Sequence, residues 1–350
     1  MSKEFQLGGQ ALVEGVMMRS PRYVGAAVRC PDGHIETRLE PFQSVIRKYP
    51  FLNIVIVRGV VGLIEMMALG MKYLQWSGNI ALAEDERKKR EAKALSAQSG
   101  STPAALGGET LAHDPEFHDP TLHDSKIIET KKGAPALPIW LFLITIVGSL
   151  GLGMLLFVAL PNLVTHYTLR QATDNLIALN LFEGSVKMTI FVIYIWGIGL
   201  RPDIRRVFEY HGAEHKVVYA AENDLPLTPE NARPFDTPHP RCGTGFALLT
   251  VVVSIFCFAN LPWPEEHWIR ILWRMMLMPL VAGLSYEIIK MTVNPVFGGF
   301  ARFIMTPGMW LQRLTTKQPD DSQLEVSCVA MQTVIDAEHG HNVTAAPGLV

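Results

Sequence analysis

The segment His211-Gly-Ala-Glu-His215 has the residue types and spacing of a metal-dependent hydrolytic site. Positions i and i+4 share one face of an α-helix, so the two imidazoles could bind one ion. Glu214 leans toward the same side and could act as general base on a water molecule. This order, H-x-x-E-H, is that of the inverted zinc motif. Such a pentapeptide also arises by chance, so its surroundings decide the interpretation.

Three further candidate ligands accompany the segment in the polar stretch 201–242. Glu222 follows His211 by about three helical turns, so a continuous helix would place it on the same stripe; alternatively it is an exposed residue at a helix end. His239 and Cys242 stand three residues apart just before an apolar segment, and both can bind zinc. The alternative for this pair is a turn cap and a buried thiol.

Glu287 is a candidate from outside this stretch. It lies in a long apolar segment, where a carboxylate is costly and indicates a function. It could supply a distant ligand to the same metal. A salt bridge with Arg201 or Arg205 is the alternative.

Long apolar segments predict an integral membrane protein. The chain has 350 residues, and a span needs about 20 predominantly apolar ones. Four segments are long and apolar enough to span a bilayer, at about 138–160, 181–200, 245–261 and 271–289. The net charge of −2 gives no indication of nucleic-acid binding. Four scattered cysteines without a CxxC pair are typical of reduced thiols.

Lys and Arg residues concentrate before the first span, in the 201–242 loop and after the last span. The positive-inside rule therefore predicts that both termini and this loop are cytoplasmic. We expect a multi-pass protein of the cell (inner) membrane, with membrane lipid as a partner and the HGAEH segment at the cytoplasmic face.

The predicted fold is mainly α, a polytopic membrane helix bundle of about four spans with a small N-terminal β-containing region and a cytoplasmic helical loop. Val24–Arg29 and Ile35–Leu39 flank a Pro-Asp-Gly turn and predict a hairpin, with which the glycine-rich residues 8–19 could pair. The sequence divides into a β-hairpin region (1–50), an amphipathic or membrane-associated helix (51–81), a disordered linker (82–136), the membrane domain (137–315) and a C-terminal helix with a tail (316–350).

Two segments of the sequence have more than one interpretation. Residues 51–76 carry Arg58, Glu65 and Lys72 on one face, which favours an amphipathic helix over a span. The repeated His-Asp-Pro at 113–124 could bind a metal weakly, but its composition favours a disordered tract. In the tail, apolar residues at helical spacing predict a helix from about 322 to 338.

Several motifs together resemble the YqhQ-like bacterial membrane proteins. They are GGQALVEGVMMR at 8–19, HGAEHK at 211–216, Glu222, HPRCGTGF at 239–246, Tyr286-Glu287 and PGMWLQRLTT at 307–316. The resemblance covers most of the chain and departs from it at the His-Asp-Pro tract. That family is described as predicted metal-dependent enzymes without an established reaction, so the resemblance implies a membrane protein with a divalent metal.

The function expected from the sequence is a metal-dependent membrane hydrolase. His211 and His215 would bind zinc, and Glu222, His239, Cys242 or Glu287 would complete the ligand set. Glu214 would be the catalytic base, acting on a lipid-linked or membrane-protein substrate. The alternative is a non-catalytic scaffold or assembly factor whose polar loop binds a partner protein. Homo-oligomerisation stays open, and a transporter is disfavoured because the spans hold few midplane charges.

Overall fold

A computed structural model describes residues 7–99, 139–240, 242–259, 261–262, 264, 266–291 and 298–340. Contacts group Met1–Ala81 with Leu150–Val350 into one compact unit and Leu82–Ser149 into another. The described chain is mostly helical with one small antiparallel sheet, which confirms the predicted fold class.

The N-terminal sheet has four strands in the order β1-β2-β3-β4. Their bounds are β1 Gly8–Leu12, β2 Gly15–Arg19, β3 Tyr23–Arg29 and β4 Ile35–Pro41. β3 and β4 form the expected hairpin around Gly33, whose φ of 95° suits glycine. The glycine-rich segment also pairs as expected, with β1 antiparallel to β2 and β2 to β3.

Eleven α-helices occur in the described part of the chain. They are α1 Val45–Lys48, α2 Val57–Ser99, α3 Ile139–Met154, α4 Leu160–Tyr167, α5 Leu176–Ile198, α6 Pro202–Glu222, α7 Pro229–Ala232, α8 Gly243–Phe258, α9 His267–Met291, α10 Gly298–Thr315 and α11 Asp321–Glu338. A π-helical turn, Leu155–Ala159, joins α3 to α4, and short 3₁₀ turns lie at Pro50–Leu52 and Leu169–Gln171.

Helices cover the sheet on both faces. Strand side chains alternate between faces, so Val16 and Met18 join the core formed with α6 and α11. Met17 points the other way, into a second core that includes Tyr73 of α2. The sheet is thus the middle of three layers, and α6 is anchored to it along one side.

The C-terminal helix was predicted closely. α11 begins one residue before the expected start, and a capping box fixes it there: the side chain of Asp320 accepts from the backbone of Gln323, whose own side chain accepts from the backbone of Asp320. Leu324, Cys328 and Met331 of its apolar face are buried in the core.

The sequence-based division begins the linker at residue 82, which is too early. Helix α2 continues through residues 82–99 instead of ending near 81. The physical reason is composition: the run Glu84–Lys93 and the alanines after it are strong helix formers, and no proline interrupts them. The rest of the expected linker, with its His-Asp-Pro repeat, lies outside the described residues.

Three helical stretches are long and apolar enough to cross a membrane, namely Val147–Gln171, Leu176–Ile198 and Trp268–Met291. The remaining expected span corresponds to α8, whose 16 residues are fewer than the roughly 20 of a full span. Large apolar side chains on these helices, such as Trp196 and Met276, are exposed at the protein surface. Such a surface suits a lipid environment, so the chain is a membrane protein with three candidate spans and a shorter apolar helix.

Candidate metal centre

The HGAEH segment forms the buried middle of α6. His211, Glu214 and His215 are all buried, and the helix continues to Glu222 as their spacing predicted. Gly212 permits a close approach of the chain after α10. A Cβ atom at this position would lie 2.1 Å from the carbonyl oxygen of Lys317. The glycine of the motif therefore lets the residues around 315–317 lie directly against α6.

His211, His215 and Cys242 converge. A ligand atom from each lies within 4.8 Å of the other two, and all three residues are buried. The Nε2 atom of His211 is 3.0 Å from the Sγ atom of Cys242. With bonds of about 2.0–2.3 Å, the ligand atoms of one zinc ion lie roughly 3–4 Å apart, so this trio needs only small adjustments to hold one.

Backbone carbonyls orient both imidazoles. The Nδ1 atom of His211 donates to the carbonyl oxygen of Thr315 over 2.9 Å. That of His215 donates to the carbonyl oxygen of Thr237. Because a carbonyl only accepts, each Nδ1 carries the proton and each Nε2 is left as the electron-pair donor in the neutral ring. This is the arrangement that usually fixes metal-binding histidines.

The three groups also polarise one another. Burial opposes ionisation of the Cys242 thiol, but His211 and His215 outweigh it and hold its pKa well below the ordinary value. Burial likewise disfavours the charged imidazole of His211, yet the neighbouring Cys242 sulfur raises the pKa of that ring. A thiolate is the form of cysteine that binds metals, so the electrostatics favour the ligand state.

Glu214 lies beside the trio and not within it. Its Oε2 atom is 3.8 Å from the Nε2 atom of His215. Burial raises the pKa of this carboxyl, and a raised pKa favours a group that both takes up and releases a proton. The β1 backbone packs directly on it, since a Cβ atom at Gly9 would lie 2.9 Å from the Cγ atom of Glu214.

His239 and Glu222 form an adjoining pair. The Nε2 atom of His239 is 3.4 Å from an Oε1 atom of Glu222, and its ring centroid is 5.6 Å from that of His215. Burial, followed by the charge of His215, lowers the pKa of His239 to about 4. The Glu222 side chain is 30% exposed, so this pair connects the buried trio to the surface.

Glu287 lies away from the His211, His215 and Cys242 trio. Both of its carboxylate oxygens accept hydrogen bonds from the guanidinium of Arg58, at the start of α2. The alternative role expected for Glu287, a salt bridge, is present, but its partner is Arg58 and not Arg201 or Arg205. The reason is packing: Gly59 lies against Tyr286 and Gly283 against Ile56, which brings the two helices together at this point.

Sequence reasoning missed the residues that position the site. The side-chain amide of Gln312 accepts from the His239 backbone N–H over 2.9 Å and donates to the His239 carbonyl over 3.0 Å. Gln312 and Thr315 lie within PGMWLQRLTT, a segment that carries the family resemblance but no recognisable ligand motif. Nothing in a linear pattern marks a carbonyl oxygen as a histidine partner.

The chain combines a three-layered part, built from the sheet and its covering helices, with apolar helices long enough to span a membrane. With its buried His/His/Cys cluster, it falls in the class of polytopic membrane proteins with a candidate metal centre. Residues 54–337 match the family described as "Protein of unknown function (DUF1385)", and the chain belongs to this family. It is 31% identical over 341 residues to "Uncharacterized protein YqhQ" of Bacillus subtilis (strain 168), covering 95% of this chain and 92% of the relative. No solved structure matches the chain significantly.

Proposed function

We propose that this protein is a metal-dependent membrane hydrolase whose metal is bound by His211, His215 and Cys242. The observation that carries the proposal is the convergence of these three ligand atoms within 4.8 Å. Two imidazoles with Nδ1 fixed by backbone carbonyls and one acidified thiol make a donor set that suits zinc.

The neighbouring side chains supply what hydrolysis needs. A divalent metal at this place would act as a Lewis acid toward a carbonyl or phosphoryl oxygen of the substrate. Glu214 then accepts a proton from the attacking water molecule and passes it to the leaving group. Its raised pKa and its 3.8 Å distance from His215 support this role.

The Lys and Arg distribution supports a position of this centre at the cytoplasmic face of the cell membrane, with both termini on that side. Cys242 immediately precedes the apolar helix α8, so the centre lies where the chain enters an apolar helix of the membrane domain. That position suits a substrate that is itself held in the membrane, either lipid-linked or a membrane protein.

Metal content tests the proposal. We expect purified wild-type protein to retain stoichiometric zinc, and His211→Ala, His215→Ala and Cys242→Ser to lose most of it. Glu287→Gln is the matched control, because its carboxylate binds Arg58 and not the trio; it should retain zinc. Similar zinc in all variants, each verified as folded by its thermal transition, would sink the proposal. Glu214→Gln should retain zinc yet fail to restore the phenotype of a strain lacking the gene.

One observation favours a second candidate, thiol catalysis. Cys242 adjoins the N-terminus of α8 and lies 3.0 Å from the His211 imidazole, an arrangement that also activates a nucleophilic cysteine. Because His215 also lies close to the Cys242 sulfur, the arrangement favours metal binding over thiol catalysis. Alkylation with iodoacetamide distinguishes them: a metal ligand is protected by zinc and exposed by a chelator, whereas a free nucleophile reacts equally fast in both conditions.

A further inference from the structure

A second group of charged residues lies within the candidate spans, away from the metal centre. The guanidinium of Arg274 on α9 pairs with the carboxylate of Glu183 on α5, and it also donates to the Asn180 side-chain oxygen over 3.2 Å. Charged side chains in membrane-spanning helices are costly and are retained for a function more often than by accident.

Lys187 is the member of this group that packing alone does not explain. It lies one helical turn after Glu183, and its Nζ atom is 5.6 Å from the ring centroid of Phe258. In the part of the chain that the structure describes, its ammonium has neither a hydrogen bond nor an ion pair. Its charged neighbours are Glu183, already bound to Arg274, and Arg274 itself.

The local charge is therefore positive. Two cations face one carboxylate at this point, and Arg270, one turn before Arg274, adds a third cation, which donates to the Asn162 side-chain oxygen over 3.0 Å. Lys187 is half-buried as a residue, so part of it lies at the surface of the bundle, where a molecule can approach it. An accessible positive site between apolar helices is suited to an anionic headgroup.

The site is separate from the metal centre. Phe258, against which Lys187 lies, ends α8, whereas Cys242 directly precedes its first residue. Along a helix of this length the two places are about 24 Å apart. A ligand at Lys187 thus contacts neither His211 nor His215.

We propose that the Lys187 ammonium binds the phosphate group of an anionic membrane lipid where α5, the C-terminus of α8 and the N-terminal half of α9 meet. The buried guanidinium of Arg274, which is bound to Glu183, adds positive charge behind this ammonium. The ammonium supplies charge-assisted hydrogen bonds to the phosphate oxygens. Exposed apolar side chains on α5 and α9, such as Ile193 and Met276, leave these helices open to contact with acyl chains. Inorganic phosphate offers the same chemistry without the chains.

Thermal unfolding in lipid nanodiscs tests this site. We expect phosphatidylglycerol to raise the Tm of the wild-type protein by several degrees over phosphatidylcholine. Lys187→Met should lose most of this increment, whereas Lys187→Arg and the control Lys290→Met, an exposed lysine at the other end of α9, should keep it. An equal increment in Lys187→Met would overturn the proposal, as would no increment in the wild type in both phosphatidylglycerol and phosphate. An increment produced by inorganic phosphate alone would assign the site to free phosphate, and dependence on phosphatidylglycerol would assign it to lipid.

Discussion

The Nε2 atom of His211 lies 3.0 Å from the Sγ atom of Cys242, although 31 residues separate them in the chain. The connection between them passes through the short helix α7 and then returns along α6, where Thr237 meets His215 and the Tyr219 hydroxyl donates to the carbonyl of Pro238 over 2.8 Å. A buried lysine assists this return: the Lys216 ammonium donates to the carbonyls of Arg233 and Phe235. The loop is thus built to bring a thiol to two imidazoles.

Gly212→Ala should disturb both stability and the site. The added methyl group would lie 2.1 Å from the Lys317 carbonyl oxygen, a backbone atom that cannot rotate away. We expect the free energy of unfolding to fall by about 1–3 kcal/mol, as for other overpacked positions. Because Thr315 must shift with this segment, zinc affinity should fall as well. Thermal unfolding and zinc titration measure the two effects.

Gly78→Ala is the matched control for this substitution. Gly78 also lies within a helix, but a Cβ atom there would meet nothing within 4 Å. Its replacement should stabilise the helix by roughly 0.5–1 kcal/mol. Equal responses of the two variants would mean that contact with Lys317 does not constrain the motif.

Gln312→Leu should destabilise the protein by removing both hydrogen bonds to the His239 backbone. The N–H and the carbonyl of His239 would then be left buried without these partners, at a cost of about 1–3 kcal/mol for an unsatisfied group. Gln318→Leu, at an exposed position, should have little effect. Chemical unfolding of both variants checks the prediction, which fails if they respond alike.

Glu338→Gln should show a pH-dependent loss of stability. Glu338 accepts hydrogen bonds from the Ser20 hydroxyl over 2.6 Å and from the Arg22 guanidinium over 2.7 Å, which ties α11 to the turn between β2 and β3. Burial alone would raise the pKa of this carboxyl, but these hydrogen bonds hold the pKa below its ordinary value.

A depressed carboxyl pKa stabilises the fold above the pKa of the unfolded chain, about 4.3, and this stabilisation is lost as pH falls through the folded pKa. We therefore expect Glu338→Gln to cost about 1–3 kcal/mol at neutral pH and the gap from wild type to close in acid. Tm measured over a pH series tests this, and a gap that widens in acid contradicts it. Glu325→Gln is the control on the same helix: its side chain is 46% exposed, so its salt bridge should contribute about 0–1 kcal/mol.

A double-mutant cycle should separate Glu287 from the metal centre. Glu287→Met leaves the Arg58 guanidinium without its carboxylate, and Arg58→Met does the converse, so each should lower the Tm. The double variant should recover part of the loss, because neither charge is then left alone. Zinc content should stay at the wild-type level in all three. Loss of zinc in Glu287→Met alone would contradict this prediction and indicate that Glu287 is a metal ligand.

Local patterns predicted much of the fold but only part of the candidate site. The spacing of His211, His215 and Glu222 predicted one helix, and the Pro-Asp-Gly turn predicted one hairpin. Both elements could be predicted because each depends on residues that are neighbours in the sequence. Which distant group reaches the histidines depends on packing between elements. Cys242 and Glu287 were both chemically suitable, and only the fold places the first in the trio and the second on Arg58. The helical extension through residues 82–99 was missed because a charged run was interpreted by its polarity instead of its helix propensity.

The most direct test of the metal centre is X-ray absorption at the zinc edge of purified protein. The account predicts a first shell with one sulfur ligand at about 2.3 Å and two imidazole nitrogens at about 2.0 Å, and Cys242→Ser should remove the sulfur contribution. Zinc bound only by oxygen and nitrogen in the wild-type protein, or a sulfur contribution unchanged in Cys242→Ser, would contradict it.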